Sequence, residues 1–138
     1  MHASTLNTRA PMRADHLNLA LWTFQGWVAL FFIAAAYAKL TQPIGDVVEM
    51  FSWTAAVSGP AVRSVGLVEL AMAIGVLAPL ALGKLGRPFV IASAAGLLSI
   101  EAVMLIVHLI GGEAAPAVTN LLLVAVTAPI VWFRSRGA

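Results

Sequence analysis

The sequence predicts an all-α membrane protein, an antiparallel bundle of four transmembrane helices with an additional amphipathic helix on its outer face. Hydrophobic residues make up 61% of the chain, charged residues 10%, and the mean hydropathy is +0.94, outside the range of soluble globular proteins. Four apolar stretches are each close to the length of about 20 residues that a helix needs to cross a bilayer. In 138 residues they leave no room for a soluble catalytic domain.

The first apolar stretch, residues 19–38, resembles a secretory signal because it ends in Ala36-Tyr37-Ala38, which is similar to a cleavage site. Its apolar run exceeds the ~7 to 15 residues of a signal core, so we expect a retained helix. The other three spans cover residues 61–82, 88–110 and 116–133. Together the spans predict a transmembrane domain over 19–134, between an N-terminal segment, 1–18, and a tail, 135–138.

Prolines mark the spans. Those at 60, 88 and 116 stand near the start of a span, where a missing amide hydrogen costs least. Pro79 and Pro129 lie inside the second and fourth spans, where we expect kinks.

The basic residues predict the orientation of the bundle. With both termini on one side, that side carries six of the eight basic residues, and only Lys39 and Arg63 lie opposite. Both termini are therefore predicted to be cytoplasmic. The pI of 9.7 is explained by these basic residues, which hold the cytoplasmic face and can pair with anionic lipid headgroups. A nucleic-acid partner is not expected, because the chain lacks the basic stripe of a nucleic-acid-binding protein.

The longest connection, between the first two spans, has a helical pattern of its own. Ile44, Val47, Val48, Phe51 and Ala55 fall at helical spacing, and the acidic residues lie off that face. The pattern predicts an amphipathic helix over 43–57 on the outer membrane surface. It is interpreted either as a connector resting on the headgroups or as a lid over a cavity.

Three ionisable residues lie inside predicted spans and are candidate catalytic groups. Glu69 falls about two turns into the second span, and a charge at the bilayer centre costs about 2.5 to 3.5 kcal/mol, so it should face protein. Glu101 and His108 share one face of the third span, about 10 Å apart. We expect Glu101 to be protonated or bonded to His108 through water.

Polar residues cluster at the same outer depth and, together with Met104, are candidate substrate-binding groups. These polar residues are Tyr37, Lys39, Arg63 and Asn120, in a pocket walled by Trp22, Trp27, Phe31, Phe32 and Met104. The inner half offers mainly Gln25 and Ser93. Lys39 and Arg63 have a simpler interpretation as membrane anchors that also pair with Glu69, and that pair alone would explain Glu69 as a tie between helices.

Metal and thiol chemistry are not expected. One histidine and two acids at different depths make a poor ligand set, so no metal site is predicted. The chain has no cysteine, which removes thiol redox chemistry and leaves any redox role to a bound cofactor or a partner.

Several short motifs give the chain a resemblance to a known family. They are AYAKL at 36–40, GLVEL at 66–70, GVLAP at 75–79, VHL at 107–109 and an asparagine early in the fourth span. In this order the chain resembles the DoxX-like family of small bacterial four-helix membrane proteins over about 30–134. The resemblance implies a bundle in the cytoplasmic membrane, with Lys39, Glu69, His108 and Asn120 as family-pattern positions.

Three functions stay open. The resemblance suggests the membrane subunit of a quinone-linked oxidoreductase, with a non-covalently held quinone, a soluble oxidoreductase partner, and Glu69 or His108 exchanging protons. The second is an autonomous enzyme with Glu101 and His108 as acid and base on an isoprenoid, sterol-like or other lipophilic substrate. The third is a scaffold or lipid-binding protein. The sequence leaves open whether the protein forms a homo-oligomer.

Overall fold

The computed structural model describes the backbone of residues 9–137 and the side chains of residues 14–137. This part of the chain is helical, without a β-strand. Its α-helices are α1 (Arg9–Thr41), α2 (Ile44–Met50), α3 (Gly59–Val76), α4 (Pro79–Leu82), α5 (Arg87–Ile110) and α6 (Ala114–Ser135). Two 3₁₀ helices, Ser52–Ala56 and Gly83–Gly86, lie in the connections.

Three stretches are long and apolar enough to cross a membrane. They are Ala14–Thr41, Gly59–Ile110 and Ala114–Ser135, and the second, with 52 residues, contains both α3 and α5. Large apolar side chains such as Leu30, Leu122 and Ile110 lie exposed on the outside of the helices. Such a surface is unfavourable in water and suits contact with lipid.

The long helices pack in a ring. Helix α1 contacts α3 and α6, and α5 contacts α3 and α6. The apolar core is formed by Val28, Phe32, Ala73, Val76, Val90, Ala94, Leu97 and Ile130. The buried polar side chains lie outside this apolar cluster.

Helix α3 is shorter than the second predicted span, 61–82. Helix α3 stops at Val76, and Leu77 and Ala78 form tight turns with Ile74 and Gly75. Pro79 starts the short helix α4 instead of kinking a longer one, because a proline without an amide hydrogen fits the first turn of a helix. Helix α6 runs through Pro129, and α5 and α6 lie close to the predicted spans.

Two short helices take the place of the single helix predicted over 43–57. Phe51 has an extended backbone, with φ −133° and ψ 86°, and separates α2 from the 3₁₀ helix Ser52–Ala56. On the predicted apolar face, Val47 is buried whereas Ile44 and Ala55 are exposed. The bend at Phe51 turns its ring and that of Trp53 toward the helix bundle.

Helix α1 begins within the predicted N-terminal segment, 1–18. Residues 1–8 of the predicted segment 1–18 lie outside the described residues, and α1 already contains the rest. The last residue of the predicted tail, 138, also lies outside them.

Candidate functional site

A polar cavity lies at the end of the helices where α1 is joined to α3 and α5 to α6. Its volume is about 700 Å³, within the ~300 to 1,000 Å³ typical of small-molecule sites. It is lined by Phe31, Phe32, Ala35, Lys39, Glu49, Met50, Phe51, Ser52, Trp53, Glu69, Ile100, Glu101, Met104, His108, Glu113, Ala114, Ala115, Pro116, Thr119, Asn120 and Leu123. All three residues predicted as catalytic therefore border one space.

A buried ion pair joins α1 to α3 at this cavity. Lys39 Nζ lies 2.8 Å from Oε2 and 3.1 Å from Oε1 of Glu69, and the side chains are 3% and 5% exposed. The ammonium also lies 4.0 Å from the centre of the Phe51 ring and 5.9 Å from that of Trp53. These rings attract the cation and shield it from solvent. The predicted pairing of Lys39 with Glu69 is present in this geometry.

Gly66 allows α1 and α3 to approach closely enough for this pair. It lies three residues before Glu69, on the same face of α3. A β-carbon at this position would stand 3.0 Å from Cβ of Lys39 and 3.2 Å from Cγ of Leu40. A larger residue would therefore separate the two helices at the ion pair.

Only one of the two carboxyl oxygens of Glu101 has a hydrogen-bond partner among the described residues. Thr127 Oγ1 on α6 donates to its Oε1 at 2.8 Å. Its Oε2 is buried and has no hydrogen-bond partner among the described residues. The expected protonation of Glu101, or its bond to His108 through water, stays a prediction. Buried polar atoms are usually paired, so Oε2 has capacity for one more hydrogen bond.

His108 pairs with an acid in the connection to α6. Its Nδ1 lies 2.5 Å from Oε2 of Glu113. Hydrogen bonds from the Ser52 hydroxyl and from His108 hold the pKa of Glu113 below its usual value. An ionised Glu113 accepts from Nδ1, so this ring nitrogen carries a hydrogen. The pair ties the end of α5 to the connection before α6 at the edge of the cavity.

The residues predicted to bind substrate divide into two groups. Lys39, Met104 and Asn120 line the polar cavity, although the Asn120 amide donates to the Pro116 carbonyl of its own helix at 3.0 Å. Tyr37 is 62% exposed and lies outside the cavity. Arg63 also lies outside it.

Arg63 donates hydrogen bonds to backbone carbonyls at the end of α1 and does not pair with Glu69. Its guanidinium donates to the carbonyl of Lys39 and, at 2.7 Å, to that of Gln42. The last carbonyls of a helix lack partners within the helix, so this arginine caps α1. It supports the backbone from which the Lys39 side chain reaches the cavity.

The aromatic wall differs from the prediction. Phe31, Phe32 and Met104 line the cavity as expected, but Trp22 and Trp27 do not. Trp27 is 66% exposed on the outside of α1. Phe51 and Trp53 from the connection supply the wall instead, because the bend at Phe51 directs them inward.

Two polar partners, Glu113 and Thr127, were not predicted. Glu113 lies five residues after His108 across a tight turn, close enough for their side chains to meet. Thr127 lies seven residues after Asn120, on the same face of α6, and this spacing could have indicated that it faces the other helices, where it meets Glu101.

A second polar cluster lies at the opposite end of the helices, where the sequence predicts few polar groups. Gln25 is buried and donates from Nε2 to the carbonyl of Val76 at 2.9 Å. Its Oε1 accepts from Arg134 Nε at 2.8 Å, and Arg134 also donates to Asn18 at 2.9 Å. These bonds join α1, α3 and α6.

Residues 9–137 contain no group of three or more histidine and acidic side chains that could hold a metal ion. The polar cavity instead offers a buried carboxyl oxygen, an ammonium group and an imidazole beside aromatic rings. This donor set suits an organic headgroup with carbonyl or hydroxyl oxygens.

The comparisons with known proteins agree with a membrane location. No curated protein and no solved structure matches the chain. The profile of the DoxX-like family matches residues 23–130, a range that contains most of α1 and α6, all of α3 and α5, and the residues of the polar cavity. This match and the apolar helices show that the chain is a membrane protein that belongs to the DoxX-like family.

Proposed function

We propose that this protein binds a lipophilic molecule with a hydrogen-bonding headgroup and serves as the membrane subunit of a quinone-linked oxidoreductase system. The observation that carries the proposal is that Glu101 lines the polar cavity and that its buried Oε2 has no partner among the described residues. Leaving a buried polar group unpaired costs about 1 to 3 kcal/mol. A headgroup that bonds this oxygen removes that cost.

The proposed setting is the cytoplasmic membrane of a bacterium. The four long helices cross it in antiparallel order, both termini are cytoplasmic, and the polar cavity opens outward. The unequal distribution of basic residues supports this orientation. Lys39 and Arg63, the two basic residues on the outer side, are bonded to Glu69 and to backbone carbonyls, so neither serves only as a membrane anchor.

A quinone headgroup matches the donors of the cavity. Its carbonyl oxygens can accept from the Lys39 ammonium and from Glu101 when that acid carries a proton, and its ring can lie beside Phe51 and Trp53. Reduction of a quinone to a quinol takes two electrons and two protons. A soluble oxidoreductase partner supplies the electrons, and Glu101 and the His108–Glu113 pair deliver the protons.

A second candidate function is an acid/base enzyme on an isoprenoid or sterol-like substrate. Glu101 and His108 border the same cavity, which favours this candidate. A proton-transferring pair in a water-poor site can rearrange or open a lipophilic substrate without an electron donor.

The test is native mass spectrometry with lipid extraction on gently purified protein. Wild type is compared with Glu101→Gln, which keeps a bond to Thr127 but removes the acid. Asp46→Asn is the matched control, because Asp46 is an exposed acid on α2 outside the cavity. We expect wild type and the control to retain a quinone and Glu101→Gln to lose it by about tenfold or more, equivalent to 1.4 kcal/mol.

The alternatives give different results. A retained lipophile that is not a quinone, and that Glu101→Gln loses, would favour the acid/base enzyme. Protein that retains nothing in any variant would reject a ligand site and leave the polar groups as ties within a scaffold.

A further inference from the structure

A groove runs between α3 and α5 on the outside of the helices. The residues that line this groove and not the polar cavity are Ser64, Val65 and Val68 from α3 and Ser99 and Val103 from α5. Its volume is about 460 Å³. Val68 and Val103 are 45% and 54% exposed, so their side chains border open space rather than the packed core. We call this feature the α3–α5 groove.

The groove offers little to a polar molecule. The hydroxyl of Ser64 donates to the Pro60 carbonyl at 3.0 Å, and that of Ser99 to the Ala95 carbonyl at 2.9 Å. Both serines thus bond to their own helices. The remaining side chains confined to the groove are apolar, and its surroundings in a membrane are hydrocarbon. An apolar chain fits this surface, whereas a charged or strongly hydrated group does not.

The groove adjoins the polar cavity. Trp53, Glu69, Ile100 and Met104 line both spaces. One of these shared residues is Glu69, whose carboxylate lies 2.8 Å from Lys39 Nζ. A molecule that occupied both spaces would therefore have its polar end among ionisable groups and its apolar end between α3 and α5.

We propose that the α3–α5 groove holds the apolar chain of the ligand and is the route by which the ligand reaches the polar cavity from the membrane. The ligand is then an amphipathic molecule with a flexible isoprenoid or acyl chain, and it does not pass through the aqueous phase. This inference rests on the proposed ligand-binding function of the cavity, but not on the ligand being a quinone.

One substitution can block the groove without touching the polar cavity. Val103→Trp places a large ring in the groove, and Val103 does not line the cavity. Val118→Trp is the matched control, because Val118 is 55% exposed on α6 and borders neither space. Both changes put the same bulky side chain on an exposed helix face, so an effect of bulk or folding alone would be common to both.

The first measurement compares two quinones, one with two isoprene units and one without a side chain. We expect Val103→Trp to weaken binding of the chain-bearing quinone by about tenfold, and to leave the chainless quinone within about twofold of wild type. Val118→Trp should change neither affinity. Unchanged affinity of Val103→Trp for the chain-bearing quinone would overturn the inference.

The second measurement does not depend on quinone binding. Protein in lipid nanodiscs is photolabelled with a diazirine-bearing palmitic acid, and the labelled peptides are mapped. We expect more label on the groove residues than on the exposed face of α6, with the excess lost in Val103→Trp and kept in Val118→Trp. Equal labelling of the two faces would refute the groove as a chain site. Excess label without binding of either quinone would reject the quinone and retain the groove.

Discussion

Loss of the Lys39 ammonium should destabilise the protein in a pH-dependent way. In Lys39→Met, Glu69 keeps its position, about 15 Å along α3 from the start of that helix, but loses its cationic partner. The carboxyl group must then stay charged in a buried site or take up a proton. Breaking a buried ion pair on one side typically costs about 3 to 5 kcal/mol.

Protonation sets an upper limit to this cost. A carboxyl group with the ordinary pKa of about 4.3 takes up a proton at pH 7 at a cost of about 3.7 kcal/mol, and at pH 5 for about 1 kcal/mol. The unfolded variant has an ionised carboxylate at these pH values, whereas the folded variant binds a proton. Its free energy of unfolding should therefore rise, relative to wild type, as the pH falls from 7 to 5.

The assay is unfolding in mixed micelles, followed by circular dichroism at pH 5, 6 and 7. We expect Lys39→Met to lose about 3 to 4 kcal/mol at pH 7 and about 1 kcal/mol at pH 5. The double variant Lys39→Met/Glu69→Gln has no carboxyl group to titrate and should show no such pH dependence. Lys84→Met, which removes an exposed lysine near α4, controls for the change from lysine to methionine. A loss below about 1 kcal/mol at pH 7, or one that does not change with pH, would refute the reasoning.

Two further predictions concern the contacts around the cavity. Gly66→Val should destabilise the protein and weaken ligand binding, because a β-carbon there already stands 3.0 Å from Cβ of Lys39; Gly45→Val, in open space on α2, is the control in the same unfolding and binding assays. Glu113→Gln should be less stable than wild type above about pH 5, and the difference should shrink as the pH falls below about 4.5, because bonds from Ser52 and His108 lower the pKa of this acid. A constant difference between pH 3 and pH 6 in unfolding experiments would contradict this role of Glu113.

The helical fold was largely predictable, because apolar runs and prolines are local signals. The sequence located α5 and α6 closely, and α1 begins earlier than its apolar run because polar residues also form its first turns. The end of α3 was missed. Leu77 and Ala78 are apolar like the helix before them, so hydropathy does not show that the chain turns at this point.

The sequence indicated which ionisable residues of the helices line the cavity, but only one of their pairings. A charged residue inside an apolar span is conspicuous, so Glu69, Glu101 and His108 could be identified from sequence alone. Which partner each one meets depends on how the helices rotate against each other. Lys39 was correctly expected near Glu69, whereas Thr127, a residue that commonly serves only in packing, was not expected to bond Glu101.

The connection between α1 and α3 should affect which headgroups the proposed ligand site accepts. Phe51, Ser52 and Trp53 line the cavity from this short segment, and the buried side chains of Val47 and Thr54 hold it against the helices. Changes in the three lining residues can alter the shape of the cavity while the helices that carry the ionisable groups stay in place. Proteins with the same long helices could thus accept different headgroups through substitutions confined to this connection.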